Sequence, residues 1–295
     1  MLVIVGFIVV LGAVLGGFVM AGGALGVMMQ PSEFVVIGGA ALGSLLVSTP
    51  GRVITAILTQ TKDALTGAGA SKKDYEELLA LLFQIFKVVQ QSGPMGLEAH
   101  FEDPSKSTIL SKYPKFLARH QAVDFLADSA KVMIIGGISA HEFADLMDED
   151  LHVHHETELR PSAALAKLGD ALPGLGIVAA VLGIVITMAH VDGPATEIGH
   201  HVGAALIGTF LGILLSYGFI QPLSSNLEAR VADEGFYCIC IKAGLLALYK
   251  GNPPAIAIEF ARRVLPHDVR PTFNETEQFC KAAGKAGSDA QAAAA

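Results

Sequence analysis

The 295-residue chain is 52% hydrophobic and only 16% charged, with 32 Gly and no Trp, and its mean hydropathy is positive. Soluble domains carry about 25% charged residues, so the composition excludes an ordinary water-soluble protein and points to an integral membrane protein. A formal net charge of -8, thinly spread, excludes a nucleic-acid surface, and three cysteines (Cys238, Cys240 and Cys280) give no even disulfide framework.

Taken in chain order, four windows lack charge over a membrane-scale length: Met1 to Pro31, Phe34 to Gly51, Ala171 to Ala189, and Val202 to Leu227. About 20 apolar residues cross a bilayer. The first window has no basic flank and far exceeds the apolar core of a signal peptide, so it is read as a retained span. In the first two spans Gly12 and Gly16, Gly22 and Gly26, and Gly39 and Gly43 are spaced by four, which lets helix backbones approach closely. Packing within one subunit and packing between subunits fit this spacing equally.

The segment after the second span reads as helical. "SKKDYEELLALLFQIFKVVQQSG" places Tyr75, Leu78, Leu82, Ile85, Phe86 and Val89 on one stripe and ends at Gly93-Pro94. "EDPSKSTILSKYP", punctuated by Pro104 and Pro114, reads as a loop with a helical turn. "HQAVDFLADSAKVMIIGG" is a further helix closed by Gly136-Gly137. The polar stretch from Ile138 leads into the third span, with Pro161 either kinking it or marking a new first turn. Past the fourth span, "NLEARVADEGFYCICIKAGLLALYKG" continues as helix. The next helix is expected to open with Asn252 as N-cap and Pro253 at its first position.

Basic residues set the orientation. Twelve of the 20 Lys/Arg lie from Arg52 to Lys167 and eight from Arg230 to Lys285. The connections Gln30 to Glu33 and His190 to His201 hold none, so the positive-inside rule puts both large polar segments in the cytoplasm. The expected organisation is all-α: spans one and two in 1–51, a cytoplasmic helical insert in 52–170, spans three and four in 171–227, cytoplasmic helices in 228–281, and a disordered tail in 282–295.

Chemistry is sparse. No phosphate-binding loop is present. His152, His154 and His155 diverge around a helix and imply no metal. Cys238 and Cys240 diverge likewise and read as buried small hydrophobes. The third and fourth spans offer hydroxyls (Thr187, Thr209, Ser216 and Tyr217), glycines and two prolines, Pro173 and Pro222, but no group that carries a proton. Ion transfer through hydrocarbon needs an ionisable or strongly polar site. If the chain conducts, a partner must supply that charge. For Thr209 alone, back-bonding to its own turn is the plain reading.

Several motifs carry a resemblance: "LGDALPGLGIVAAVLGIV" with Pro173, "IGTFLGILLSYGFIQPL" with Pro222, "GLEAHFEDP" and "SKYP" after span two, and "PPAIAIEFARRVL" followed by "RPTF". With these, and with four spans in this order, the chain resembles the MotA family of flagellar motor stator subunits up to about Lys281. The resemblance implies a non-enzymatic ring, a pentamer, around a dimer of a MotB-like single-span partner that carries the membrane aspartate. No cofactor is implied beyond the transported ion, and the setting is the bacterial inner membrane. By position, Thr209, Thr187 and Tyr217 then line the ion path, and Pro173 and Pro222 couple ion passage to movement. Ala180 stands where sodium-driven relatives tend to have Thr, which favours protons. Glu98 and Asp150 match acidic positions facing the rotor protein FliG. The family's basic residue eight positions before Glu98 is Gln90 here. Either Lys87 substitutes, or the contact relies on Lys72, Lys73, Lys112 or Lys115. The runner-up is an ExbB/TolQ-type energiser of envelope transport, and a membrane scaffold is a third reading.

Overall fold

The computed structural model describes residues 2–67, 69–103 and 106–292, with the side chains of 285–292 left aside; Met1, Ala68, Pro104, Ser105 and 293–295 lie outside it. Every regular element among the described residues is helical. The chain divides into two compact units, 1–68 with 157–231 and 69–156 with 232–295.

The first unit contains α1 (Leu2–Met20), the single turn α2 (Leu25–Met28), α3 (Pro31–Ser48) and α4 (Gly51–Thr66). It also holds α10 (Arg160–Met188), α11 (Ala195–Leu215), a π-helical turn (Ser216–Ile220) and the start of α12 (Gln221–Tyr249). Four helical runs are long and apolar enough to cross a membrane: Leu2–Met20, Leu25–Ser48, Ala140–Met188 and Ala195–Tyr249. Pro161 lies in the first turn of α10, so it opens a new helix. α10 packs chiefly along α11 and against α3, around Ile37, Ala41, Leu172, Ala179 and Leu211. Glycines set that closeness. A Cβ on Gly212 would lie 2.6 Å from the Leu172 carbonyl, and one on Gly176 would lie 2.8 Å from that of Gly208. The Gly-xxx-Gly pairs of the first two spans do the opposite: Gly12, Gly16, Gly22, Gly26, Gly39 and Gly43 have nothing within 4 Å of a built Cβ. Packing inside the subunit does not use them.

The second compact unit takes in 69–156 of the segment between spans two and three, because α4 and the start of α10 pack with the spans: Val53, Ile57 and Ala64 close on Leu165, Leu223 and Leu227.

The second unit holds α5 (Lys72–Ser92), α6 (Glu98–Phe101), α7 (Pro114–Leu117), α8 (His120–Ile135), most of α9 (Ala140–Glu158), the rest of α12, α13 (Pro254–Arg263) and α14 (Phe273–Ala292). Ser71 and Asp74 close a capping box on α5. Behind it the apolar stripe of α5, including Leu78, Leu82, Ile85 and Phe86, is almost wholly buried with Phe116, Leu126, Phe143, Ile241 and Leu245. Cys238, Cys240 and Cys280 are free and buried in this core, and burial pushes the Cys238 thiol up to about 12. Two local expectations shift. α13 is capped by Pro253 and has Pro254 in its first turn. Gly251, at a φ of +85°, ends α12, and the Asn252 amide turns back to the Ala247 carbonyl (2.8 Å). The segment expected to be a disordered tail from 282 is helical as far as Ala292. Alanine, abundant there, is the strongest helix former; 293–295 lie outside the described residues.

Candidate functional site: the α10–α11 face

Hydrogen-bond bookkeeping explains how two prolines fit into continuous helices. Pro173 lacks an N–H, so in α10 it cannot bond the carbonyl four residues back, that of Gly169. The Ser216 hydroxyl, itself fully buried, donates to that carbonyl at 2.7 Å. Ser216 opens the π turn, which ends two residues before Pro222. There the missing donor and the ring's clash with the Gly218 carbonyl widen the helix by one residue. One turn further, Ser224 donates to the Ser162 carbonyl at 2.7 Å, and Gln221 bonds Asp170 at 2.6 Å. The irregularities made by the two prolines are therefore joined directly, through Gly169 and Ser216.

The hydroxyls divide by role. Thr187 is buried and donates to its own turn at Gly183 (2.8 Å). Thr209 is half-buried, and its hydroxyl makes no hydrogen bond among the described residues, the reverse of the back-bonded reading. Thr209 and Ala180 each border the glycine crossing. A Cβ on Gly176 would come within 3.3 Å of Thr209 Cα, and one on Gly208 within 3.3 Å of the Ala180 nitrogen. Tyr217 is 68% exposed on the apolar exterior.

One residue of this face was placed wrongly from sequence. Glu33 reads as part of the outer connection Gln30 to Glu33. Instead Glu33 lies in the first turn of α3 and is buried. Its Oε2 has no hydrogen-bond partner and points at Gly208, where a Cβ would stand 2.4 Å away. The sequence signal available was Pro31 two residues earlier, a helix-opening residue that puts Glu33 inside the helix.

The acidic candidates of the second unit are exposed, and no hydrogen bond or ion pair among the described residues joins Glu98, Lys87, Gln90 and Asp150. Lys87 folds over the Phe83 ring (5.2 Å), with its Nζ against Gly284 of α14. Lys72 pairs with Glu275 (2.9 Å), and Lys115 with Asp74 (3.0 Å). Lys73 and Lys112 have no ion pair among the described residues. Asp150 lines a cleft of ≈ 310 Å³ together with Asp124, Asp128, Gln121 and His154. Spacing alone did not bring Asp124 and Asp128, on α8, beside Asp150 on α9. His154 meets Gln121 there.

An all-helical fold among the described residues, with four span-capable runs and a glycine-packed helix pair that carries a free hydroxyl, suits a subunit of a membrane channel. Residues 118–235 match the MotA/TolQ/ExbB proton channel family, and residues 4–93 match the motility protein A N-terminal model. The chain belongs to the MotA branch of that family. It is 40% identical over 282 residues to motility protein A of Salmonella typhimurium and likewise to that of Escherichia coli, covering 96% of each chain in both comparisons. Its fold is similar to that in the C. jejuni MotAB structure, with a TM-score of 0.73 at 20% identity over 90% of this chain and 96% of that one.

Proposed function

We propose that the chain is a subunit of the flagellar motor stator, which with a MotB-type partner forms an ion channel and turns ion flow into torque. The observation that carries this is the full-length likeness to motility protein A. A match of residues 4–93 to the motility protein A N-terminal model favours this over an ExbB/TolQ-type energiser.

In this reading the protein sits in the bacterial inner membrane with residues 52–170 and 228–281 in the cytoplasm, as the distribution of Lys/Arg supports. Copies form a ring, a pentamer, around a dimer of the single-span partner. The outward-facing glycines of α1 and α3 are suited to close contact between neighbouring copies. The partner's aspartate meets the α10–α11 face, where Thr209 presents an uncommitted hydroxyl and Tyr217 and Thr187 lie along the same helices. Ala180 offers no oxygen ligand beside Thr209, which suits a proton better than a dehydrating sodium ion. One charge crossing 100 mV releases about 2.3 kcal/mol. The soft points at Pro173 and Pro222, tied through Ser216, let the two helices shift together as the aspartate changes charge. Torque passes to FliG through exposed acidic residues, Glu98 and Asp150, the latter reinforced by Asp124 and Asp128. Gln90 contributes no charge and Lys87 lies over the Phe83 ring, whereas Lys73 and Lys112 have no ion pair among the described residues and can serve this surface.

Deleting the gene together with any second stator gene tests this. Full-length filaments that do not turn, and turn again on re-expression, are the expected result. Rotating filaments, or loss of envelope transport in their place, contradict it.

A further inference from the structure

We propose that Glu33 is a proton-exchanging residue of the ion path, supplied by this chain and lying between α3, α10 and α11. The inference rests on the stator reading and adds a second acid to the one expected from the partner. Three observations carry it. Glu33 is only 6% exposed. Its Oε2 has no hydrogen-bond partner among the described residues, whereas the other buried unpartnered side-chain oxygens are amide oxygens of Gln60, Gln84 and Asn226. And Oε2 occupies the space left by the missing side chain of Gly208, where a Cβ would be 2.4 Å from it, 3.2 Å from Ala179 Cβ and 3.3 Å from the Ala180 nitrogen.

Gly208 is six residues into the charge-free run that starts at Val202, about 9 Å along the helix at 1.5 Å per residue. The carboxyl therefore sits within the apolar part of the span, adjacent in sequence to the free hydroxyl of Thr209. Leaving a charge unpaired in such a place costs several kcal/mol, and ionisable groups kept inside spans mark ion pathways. Among the described residues no structural partner accounts for this one. The other groups on the surrounding elements are remote. α3 and α2 hold no further titratable residue, and α10 holds none after Asp170. On α11 the nearest are His201 and His200, seven and eight residues before Gly208, about 10 to 12 Å away along the helix. Glu33 bridges the gap between that histidine end and Thr209: it takes a proton from the outer side and releases it towards the hydroxyl, with no bond other than O–H made or broken.

The test co-purifies the full chain with its MotB-type partner, places the complex in vesicles loaded with a pH-sensitive dye, and compares wild type with Glu33→Gln and Glu33→Asp. Glu33→Gln keeps the shape and loses the acid. It is expected to co-purify normally and to lower proton uptake by about a hundredfold, within the range contributed by a positioned proton-transfer group. Glu33→Asp restores uptake to within about tenfold of wild type. Uptake in Glu33→Gln equal to wild type overturns the proposal, as does Glu33→Asp conducting no better than Glu33→Gln. Failure of both variants to co-purify makes Glu33 a packing residue and also overturns it. A wild-type complex that takes up neither protons nor sodium rejects the stator reading itself, before any variant is compared; uptake of sodium alone overturns the proposal for Glu33.

Discussion

The two units of this molecule solve packing in different solvents. The second has the interior of a water-soluble domain: large side chains such as Tyr75, Phe86, Phe116 and Phe143 are almost wholly buried, its first helix has a capping box, and ion pairs stud its surface. The span-bearing unit turns its large side chains outward. Val47 is 92% and Leu2 87% exposed, and no residue of α1 is buried. Its interior combines small apolar clusters, around Ile37, Leu172 and Leu211 and around Val53, Leu165 and Leu227, with glycine crossings and hydroxyl-to-carbonyl bonds. Apolar burial drives folding only against water. Where lipid is the surrounding, close backbone contact and hydrogen bonding carry the association instead.

The comparison breaks most severely at the glycine crossing. Gly212→Val drives a side chain into the Leu172 carbonyl and is expected to cost about 3 kcal/mol, seen as loss of folded, detergent-extractable protein. Gly12→Val meets nothing within the subunit, so the isolated subunit should fold as wild type; equal damage from both would end the distinction. Ser216→Ala comes next. It leaves the Gly169 carbonyl without a partner beside Pro173 and should cost about 2 kcal/mol, whereas Ser216→Thr, which keeps the hydroxyl, should recover part of that in thermal unfolding of the purified complex.

The smallest effect tests the second unit's own chemistry. Arg262 binds Glu259 through two nitrogens (2.7 and 2.8 Å) and Arg263 adds a third bond at 2.7 Å. Bonding to Arg262 outweighs the opposing effect of burial and holds the Glu259 carboxyl down at about 2, against an ordinary 4.5. A depressed folded-state value means this stabilisation is complete above the ordinary value and is lost as pH falls from there through about 2. Glu259→Gln should lower stability near neutral pH by about 1 kcal/mol, and the gap to wild type should close in acid. A gap that persists at pH 2 would assign the effect to packing.

What the sequence disclosed follows the same divide. Charge-free windows and a 3.6-residue stripe are local signals, so the four spans, α5, α8 and their glycine ends were legible. Motif resemblance singled out the two prolines and Thr209, whose roles are proposed above. The rest depends on neighbours distant in the chain. That Ser216 would serve the carbonyl freed by Pro173 needs α10 and α11 side by side. The widening of the helix before Pro222, and the joining of α4 to the spans, have no local signature. Glu33 was misread because a charge at the edge of an apolar window looks like a loop residue until Gly208 is seen to leave it a cavity. The cluster of Asp124, Asp128 and Asp150 was missed because it spans two helices.

The central claim is that ions pass along the α10–α11 face and use Thr209. Proton uptake by vesicles carrying the complex with its MotB-type partner, measured for wild type and Thr209→Val, tests it most directly, since Val keeps the shape and removes only the hydroxyl. The account predicts normal assembly with uptake reduced by about tenfold or more. Assembly with unchanged uptake would contradict it and leave Thr209 a packing residue in a face that conducts nothing.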